Sequence, residues 1–218
     1  MVRSSLMALK VSIPFTSEYS RFAVVHNGIV TNYDEIAGRL RARGVTFLSD
    51  TDSEVIAHLI DCYYTGDALS AVCRAARDLS GSFALGILCL EEEGVLYGVR
   101  KDSPLLVGKG NEENFICSDI SGISEFCDEV AYPENNVVVR VTRESVEAFD
   151  LRGKTIPLPF SPNLQLGPHL IASRSAYSRL RKSMNFNGDS PFIASVNSKA
   201  TTLGSGPLLL NGDCPHCG

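Results

Sequence analysis

The sequence predicts an α+β fold built on antiparallel sheet. Two observations carry this reading. Between residues 31 and 79 apolar residues recur at helical spacing, and from 82 to 150 they fall into short strand-length runs separated by Gly, Asn, Asp or Glu-rich turns. Helices gathered in one part of the chain and strands in the next argue against the regular alternation that builds a parallel sheet. With 218 residues, 44% hydrophobic and 21% charged, the chain is sized for one globular domain, or one domain with an ill-fitting end. A net charge of −5 speaks against a nucleic-acid or anionic-membrane partner. No apolar run is long enough to span a bilayer, and the N-terminal stretch, broken by Lys10, is not a signal peptide. The seven cysteines fit reduced thiols in a cytoplasmic protein better than a disulfide framework.

Taken in order, residues 1–21 show no clear period, and Pro14 disfavours a helix there. Phe22-Ala23-Val24-Val25 is a continuous apolar run, the mark of a strand covered on both faces. Thr31 or Asn32 can cap a helix to about Arg43, with Ile36 and Leu40 one turn apart and Gly44 just past its end. Thr51-Asp52-Ser53-Glu54 has the spacing of a capping box. The helix behind it carries Val55, Ile56, Leu59, Ile60 and Tyr63 as an apolar stripe and ends at Gly66. His58, beside that stripe, is expected to face solvent, and Cys62 to be a small core residue like Cys73. A third helix, 67–79, is expected to bury Leu69, Val72, Cys73 and Ala76. Strands follow at 82–90, 95–101, 105–108, 114–118, 136–142 and 145–150. The G-x-G at Gly108 and Gly110 lacks a third glycine and a following helix, so it is no dinucleotide site. Past residue 156 prolines interrupt the pattern, and only 170–184 reads as a helix. The terminal Cys214-Pro215-His216-Cys217 supplies too few ligands for a structural zinc and lies in no redox context.

The stretch with chemistry in it runs from Phe22 to Glu54. His26-Asn27-Gly28 closes the first apolar run, and Asp50 and Asp52 precede the second helix. Two readings of His26-Asn27-Gly28 stand side by side. Asn-Gly is a strong hairpin-turn signal. The same pair also offers a side-chain amide donor beside a backbone that can approach a ligand, the parts of an oxyanion hole.

The segments FAVVHNGIVTNYDEI, RARGVTF, SDTDSEVIAHLI, LSGSFALGIL, VRKDSPLLVGKG and ENFICSDISGI, in this order, resemble one family. It is the glutaminase domain of the glutamine–fructose-6-phosphate aminotransferases, which are class II glutamine amidotransferases. The resemblance covers about residues 16 to 152. It implies an N-terminal-nucleophile hydrolase fold, a four-layer α/β/β/α sandwich, here incomplete. It implies hydrolysis of the glutamine side-chain amide by an N-terminal cysteine whose own amino group is the base. The ammonia then goes to a separate isomerase domain that makes glucosamine 6-phosphate from fructose 6-phosphate. By position, Asn27 and Gly28 would stabilise the oxyanion and Asp52 would bind the glutamine α-ammonium. His26 would belong to the same substrate-binding set, positioning the segment rather than taking a proton. No cofactor or metal is implied. Glutamine is the small-molecule partner, and the intact family member dimerises through its isomerase domain.

The sequence departs from that pattern at three places. It begins Met1-Val2-Arg3 where the family has Cys-Gly-Ile-Val-Gly, it lacks Arg-Trp-Ala-Thr-His-Gly (it has no Trp), and it has Ile13-Pro14-Phe15 for His-Pro-His. The expectation is therefore a domain truncated at its N-terminus and inactive alone, with segments 1–15 and 156–218 unmatched, the latter a poorly ordered tail, and 16–155 a partial glutamine amidotransferase domain. The alternative is a non-catalytic module that binds glutamine or a partner.

Overall fold

The computed structural model describes residues 15–17, 21–111, 113–120, 123–124, 126–163, 192–197 and 201–205. Sixteen elements follow along these residues: β1 (Phe15–Thr16), β2 (Phe22–Val30), α1 (Tyr33–Arg41), α2 (Asp52–Tyr63), α3 (Ala68–Asp78), β3 (Gly81–Cys89), β4 (Leu96–Lys101), β5 (Leu106–Gly110), β6 (Glu113–Cys117), β7 (Cys127–Ala131), β8 (Val138–Val141), β9 (Val146–Phe149), β10 (Thr155–Ile156), β11 (Ser161–Pro162), β12 (Phe192–Asn197) and β13 (Thr201–Ser205). They build two sheets. The first runs β1-β2-β3-β4-β8-β9-β10 and the second β11-β7-β5-β6-β12-β13, with antiparallel pairing between all neighbours.

Among the described residues the helices and the two sheets stack as layers, set by the two-residue period of the strands. On β2 and β3, Phe22, Val24, Phe83, Leu85 and Ile87 face the three helices, joining Ile36, Leu40, Ile56, Ile60 and Val72 in the largest core. Their alternates, Val25, Ala84 and Leu88, pack with Val107 of β5 and Ile116 of β6 in a second core between the sheets. That sandwiching explains why β3 reads as an unbroken apolar run. A third cluster, Leu106, Phe115, Cys117, Ile123, Cys127 and Val130, covers the outer face of the second sheet, with Ile120 and Phe126 against it. Here the two glycines of the G-x-G are packing devices. A Cβ on Gly108 would lie 2.7 Å from Ile123 Cδ1, and one on Gly110 would lie 2.3 Å from Phe126 O.

Several sequence expectations need correction. His26-Asn27-Gly28 is not a turn. β2 runs straight through it, with His26 opposite Leu85, Asn27 opposite Ala84 and Gly28 opposite Phe83. Tertiary pairing with β3 overrides the local Asn-Gly preference. His58 is buried rather than solvent-facing, because α2 lies between Phe47, edge-on to its ring at 4.9 Å, and the sheet. Cys62 is exposed, near the end of α2, where Arg43 donates to its Sγ at 2.9 Å. β1, β7 and β10 to β13 have no counterpart among the sequence-predicted strands. The expected helix at 170–184 and the terminal CPHCG lie outside the described residues.

Candidate active site

The site forms where β2 passes the start of α2. Strand alternation sends His26 to the same side as Phe22 and Val24, toward the helices, and Asn27 to the side of Val25, toward the second sheet. Asn27 Nδ2 donates to Ser118 Oγ at 3.1 Å, just past β6. An amide nitrogen carries two N–H donors, so this bond orients the group and leaves it a second N–H.

Gly28 follows with φ +112, a conformation that side chains rarely adopt. It is exposed, yet on its inner side a Cβ would meet Ser82 O at 2.1 Å and Ser103 Oγ at 2.9 Å. Ser82 and Ser103 bond each other through their hydroxyls at 2.9 Å. Two rungs farther on, Gly81 of β3 has φ +118, and a Cβ there would lie 2.2 Å from Ile29 O. Two glycines thus let β2 and β3 close tightly at the site.

The start of α2 is held from two directions. Thr51 Oγ1 accepts from the Glu54 N–H at 3.4 Å, the forward half of the capping box. Glu54 does not reach back to Thr51. Its buried carboxylate accepts the N–H groups of Leu48 at 2.6 Å and Ser49 at 2.7 Å, and lies 3.5 Å from His58 Nε2. Burial pushes this carboxyl up, but those hydrogen bonds outweigh burial and hold it below the ordinary range. Glu54 therefore ties the 48–49 loop to the helix. Replacing it with alanine is expected to cost about 3 kcal/mol, because two backbone N–H groups lose a charged acceptor. A urea-melt difference below about 1 kcal/mol would contradict this role. The depressed value places the contribution above the ordinary carboxylate range, to be lost as pH falls through the folded-state value.

Asp52, the first residue of α2, turns back to β2. Its Oδ2 accepts the Val30 N–H at 3.1 Å. Its Oδ1 lies 3.4 Å from both His26 Nδ1 and Ser53 Oγ. Burial pushes the carboxyl up, and the bonds from His26, Val30 and Ser53 together bring it below the usual range. The side chain is still 23% exposed, so a charged carboxylate at a helix N-terminus is offered to an incoming cation. Asp50, the other acid of the sequence pair, is exposed and lines an open depression with Arg41, Phe47 and Leu48. The structure thus brings His26 and Asp52 together on the helix side of β2, sets Asn27 with Ser118 on the opposite side with Gly28 next in the strand, and leaves Asp50 outside. Ser53 joins His26 and Asp52, Ser118 joins Asn27, and neither carries a signal in the sequence beyond its hydroxyl.

No thiol nucleophile joins this corner among the described residues. Cys117, beside Ser118, is fully buried, turns its Sγ to Asp119 O, and is pushed up to about 12 by burial. Burial likewise raises Cys73 and Cys127 to about 11 each, and raises Cys89. Thiolate is the reactive form, so these four are inert at neutral pH. Brief iodoacetamide treatment of native protein is expected to modify Cys62 and none of these four. Peptide mapping that found Cys117 alkylated at a similar rate would refute the assignment.

Residues 9–125 match a family described as "Glutamine amidotransferase domain". Curated relatives named glutamine–fructose-6-phosphate aminotransferase [isomerizing] include one from Clostridium tetani, 45% identical over 147 residues, covering 67% of this chain and 24% of the relative. Another, from Aquifex aeolicus, is 41% identical over 160 residues, covering 73% of this chain and 26% of the relative. The chain spans about a quarter of the length of these relatives. Among solved structures, the glutamine phosphoribosylpyrophosphate amidotransferase from B. subtilis, complexed with ADP and GMP, matches with a TM-score of 0.55 at 18% identity. That match covers 64% of this chain and 31% of the other, and it bears on the fold alone.

Proposed function

This chain belongs to the glutamine amidotransferase domain family, with the α+β sandwich of N-terminal-nucleophile hydrolases, and from that premise we propose that its β2–α2 corner binds glutamine. Asp52 takes the α-ammonium, and Asn27 with Gly28 faces the side-chain amide. The observation that carries this reading is the placement of Asp52, whose partly exposed carboxylate is pinned to the Val30 N–H two residues beyond Gly28. In the family's reaction, water converts the glutamine amide to glutamate and ammonia. Donors preset at the oxyanion stabilise charge that develops only in the transition state. The relatives' name supplies the proposed destination of the ammonia, fructose 6-phosphate.

Calorimetry with L-glutamine, paired with a glutamate-release assay on the same sample, tests this. Saturable binding supports the reading. Release together with binding makes the chain a glutaminase, and binding without release makes it a glutamine-binding module. No heat at millimolar glutamine overturns it.

A further inference from the structure

The glutamine reading leaves one buried side chain unexplained. His26 sits in the middle of β2 with its side chain 3% exposed. Nδ1 is 3.2 Å from Ser53 Oγ. Ser53 Oγ in turn donates to Asp52 Oδ1 at 3.4 Å. The other ring nitrogen, Nε2, is buried with no hydrogen-bond partner. An unpaired buried N–H is the costlier orphan, so of the two single-proton tautomers the favoured one has its proton on Nδ1 and a lone pair on Nε2. In that tautomer the chain of donors runs one way, from His26 Nδ1–H to the Ser53 hydroxyl to the Asp52 carboxylate.

Resting on the glutamine-binding reading, we infer that His26 is a positioning residue: directly, at 3.4 Å, and through Ser53 it aims Asp52 Oδ1, and so sets the preference for a ligand bearing an α-ammonium. Asp52 has two anchors. Val30 N–H fixes Oδ2 whatever occupies position 26, because it belongs to the backbone of β2. His26, with Nδ1 3.4 Å from Oδ1, and Ser53, which it bonds, fix the rotation that points Oδ1. Without His26 the carboxylate swings toward solvent while the helix start and the strand stay in place. His26 then does not touch the ligand and takes no proton from it.

The test compares L-glutamine with glutaramate, the same amide and carboxylate without the α-amino group. Full-length H26A is expected to bind L-glutamine about ten-fold more weakly, about 1.4 kcal/mol, and glutaramate equally well. H26N, whose side-chain N–H stands near the position of Nδ1–H, is expected to recover most of the preference. Equal weakening of both ligands in H26A, or no rescue by H26N, overturns the inference. Should wild type bind neither ligand, the glutamine reading fails, and the positioning role is judged by NMR. The acid titration of Asp52, followed at the Val30 amide, is then expected to move to higher pH in H26A and to stay in place in H26N. An unmoved midpoint in H26A overturns the role. If H26A fails to fold, H26N and S53A, which breaks the relay at its middle, carry the same comparison.

Discussion

Alanine at Gly28 is expected to cost about 4 kcal/mol or more, from backbone strain at positive φ plus overpacking. Its Cβ would come within 2.1 Å of Ser82 O. That oxygen belongs to β3, so it yields only by parting the β2–β3 pair, which extends from Phe22↔Cys89 to Val30↔Gly81. The φ of +112 adds strain even where there is room. Gly44 is the internal control. It has φ +92 with nothing within 4 Å of a Cβ, so G44A is expected to lose only about 1 kcal/mol. Urea denaturation of both variants checks the contrast. A G28A protein within about 1 kcal/mol of G44A would mean that the strands relax around the site, and the tight closure would not stand.

The largest functional effect is expected at Asp52, the proposed α-ammonium site. D52N keeps an oxygen for the Val30 N–H and keeps the Thr51 cap, so the fold is expected to lose under about 1 kcal/mol of helix-dipole stabilisation. Removing the charge from a partly buried pair, however, is expected to weaken L-glutamine binding on the order of 100-fold. Glutaramate binding should change little, since it brings no cation. Calorimetry on D52N with both ligands reads this directly, and an L-glutamine affinity within a few-fold of wild type would remove Asp52 from the site. The pH dependence has a definite sign. The Asp52 carboxyl lies below its ordinary range in the fold, so its contribution is complete above that range and disappears as pH falls through the depressed value.

Much of this corner was legible because its signals are local. Thr51 caps α2 through its own side chain, and the run beginning at Phe22 is apolar because it lies between two layers. What the sequence hid depends on partners far along the chain. Asn27-Gly28 has the letters of a turn, and only the facing strand 81–89 keeps it extended. Ser118 is distinguished solely by being 91 residues from the amide it meets. His58 looked like a polar-face residue until Phe47 and Glu54 closed over it. The strands beyond residue 190 sit amid Pro, Ser and Asn, a composition that gives no strand period.

The pairing of β12 with β6 also imposes an order in time. Ile193 lies opposite Cys117, so β6 meets its partner strand only after 76 more residues have been made. At about 5–20 residues per second, that leaves one edge of β6 open for several seconds on the ribosome. The helical layer and β2–β3 are by then fully synthesised, so the half of the molecule that carries Asp52 can fold while the second sheet is still waiting for its last hairpin. Asn27, whose orienting partner Ser118 follows β6, thus belongs to the later half of assembly, and Asp52 to the earlier.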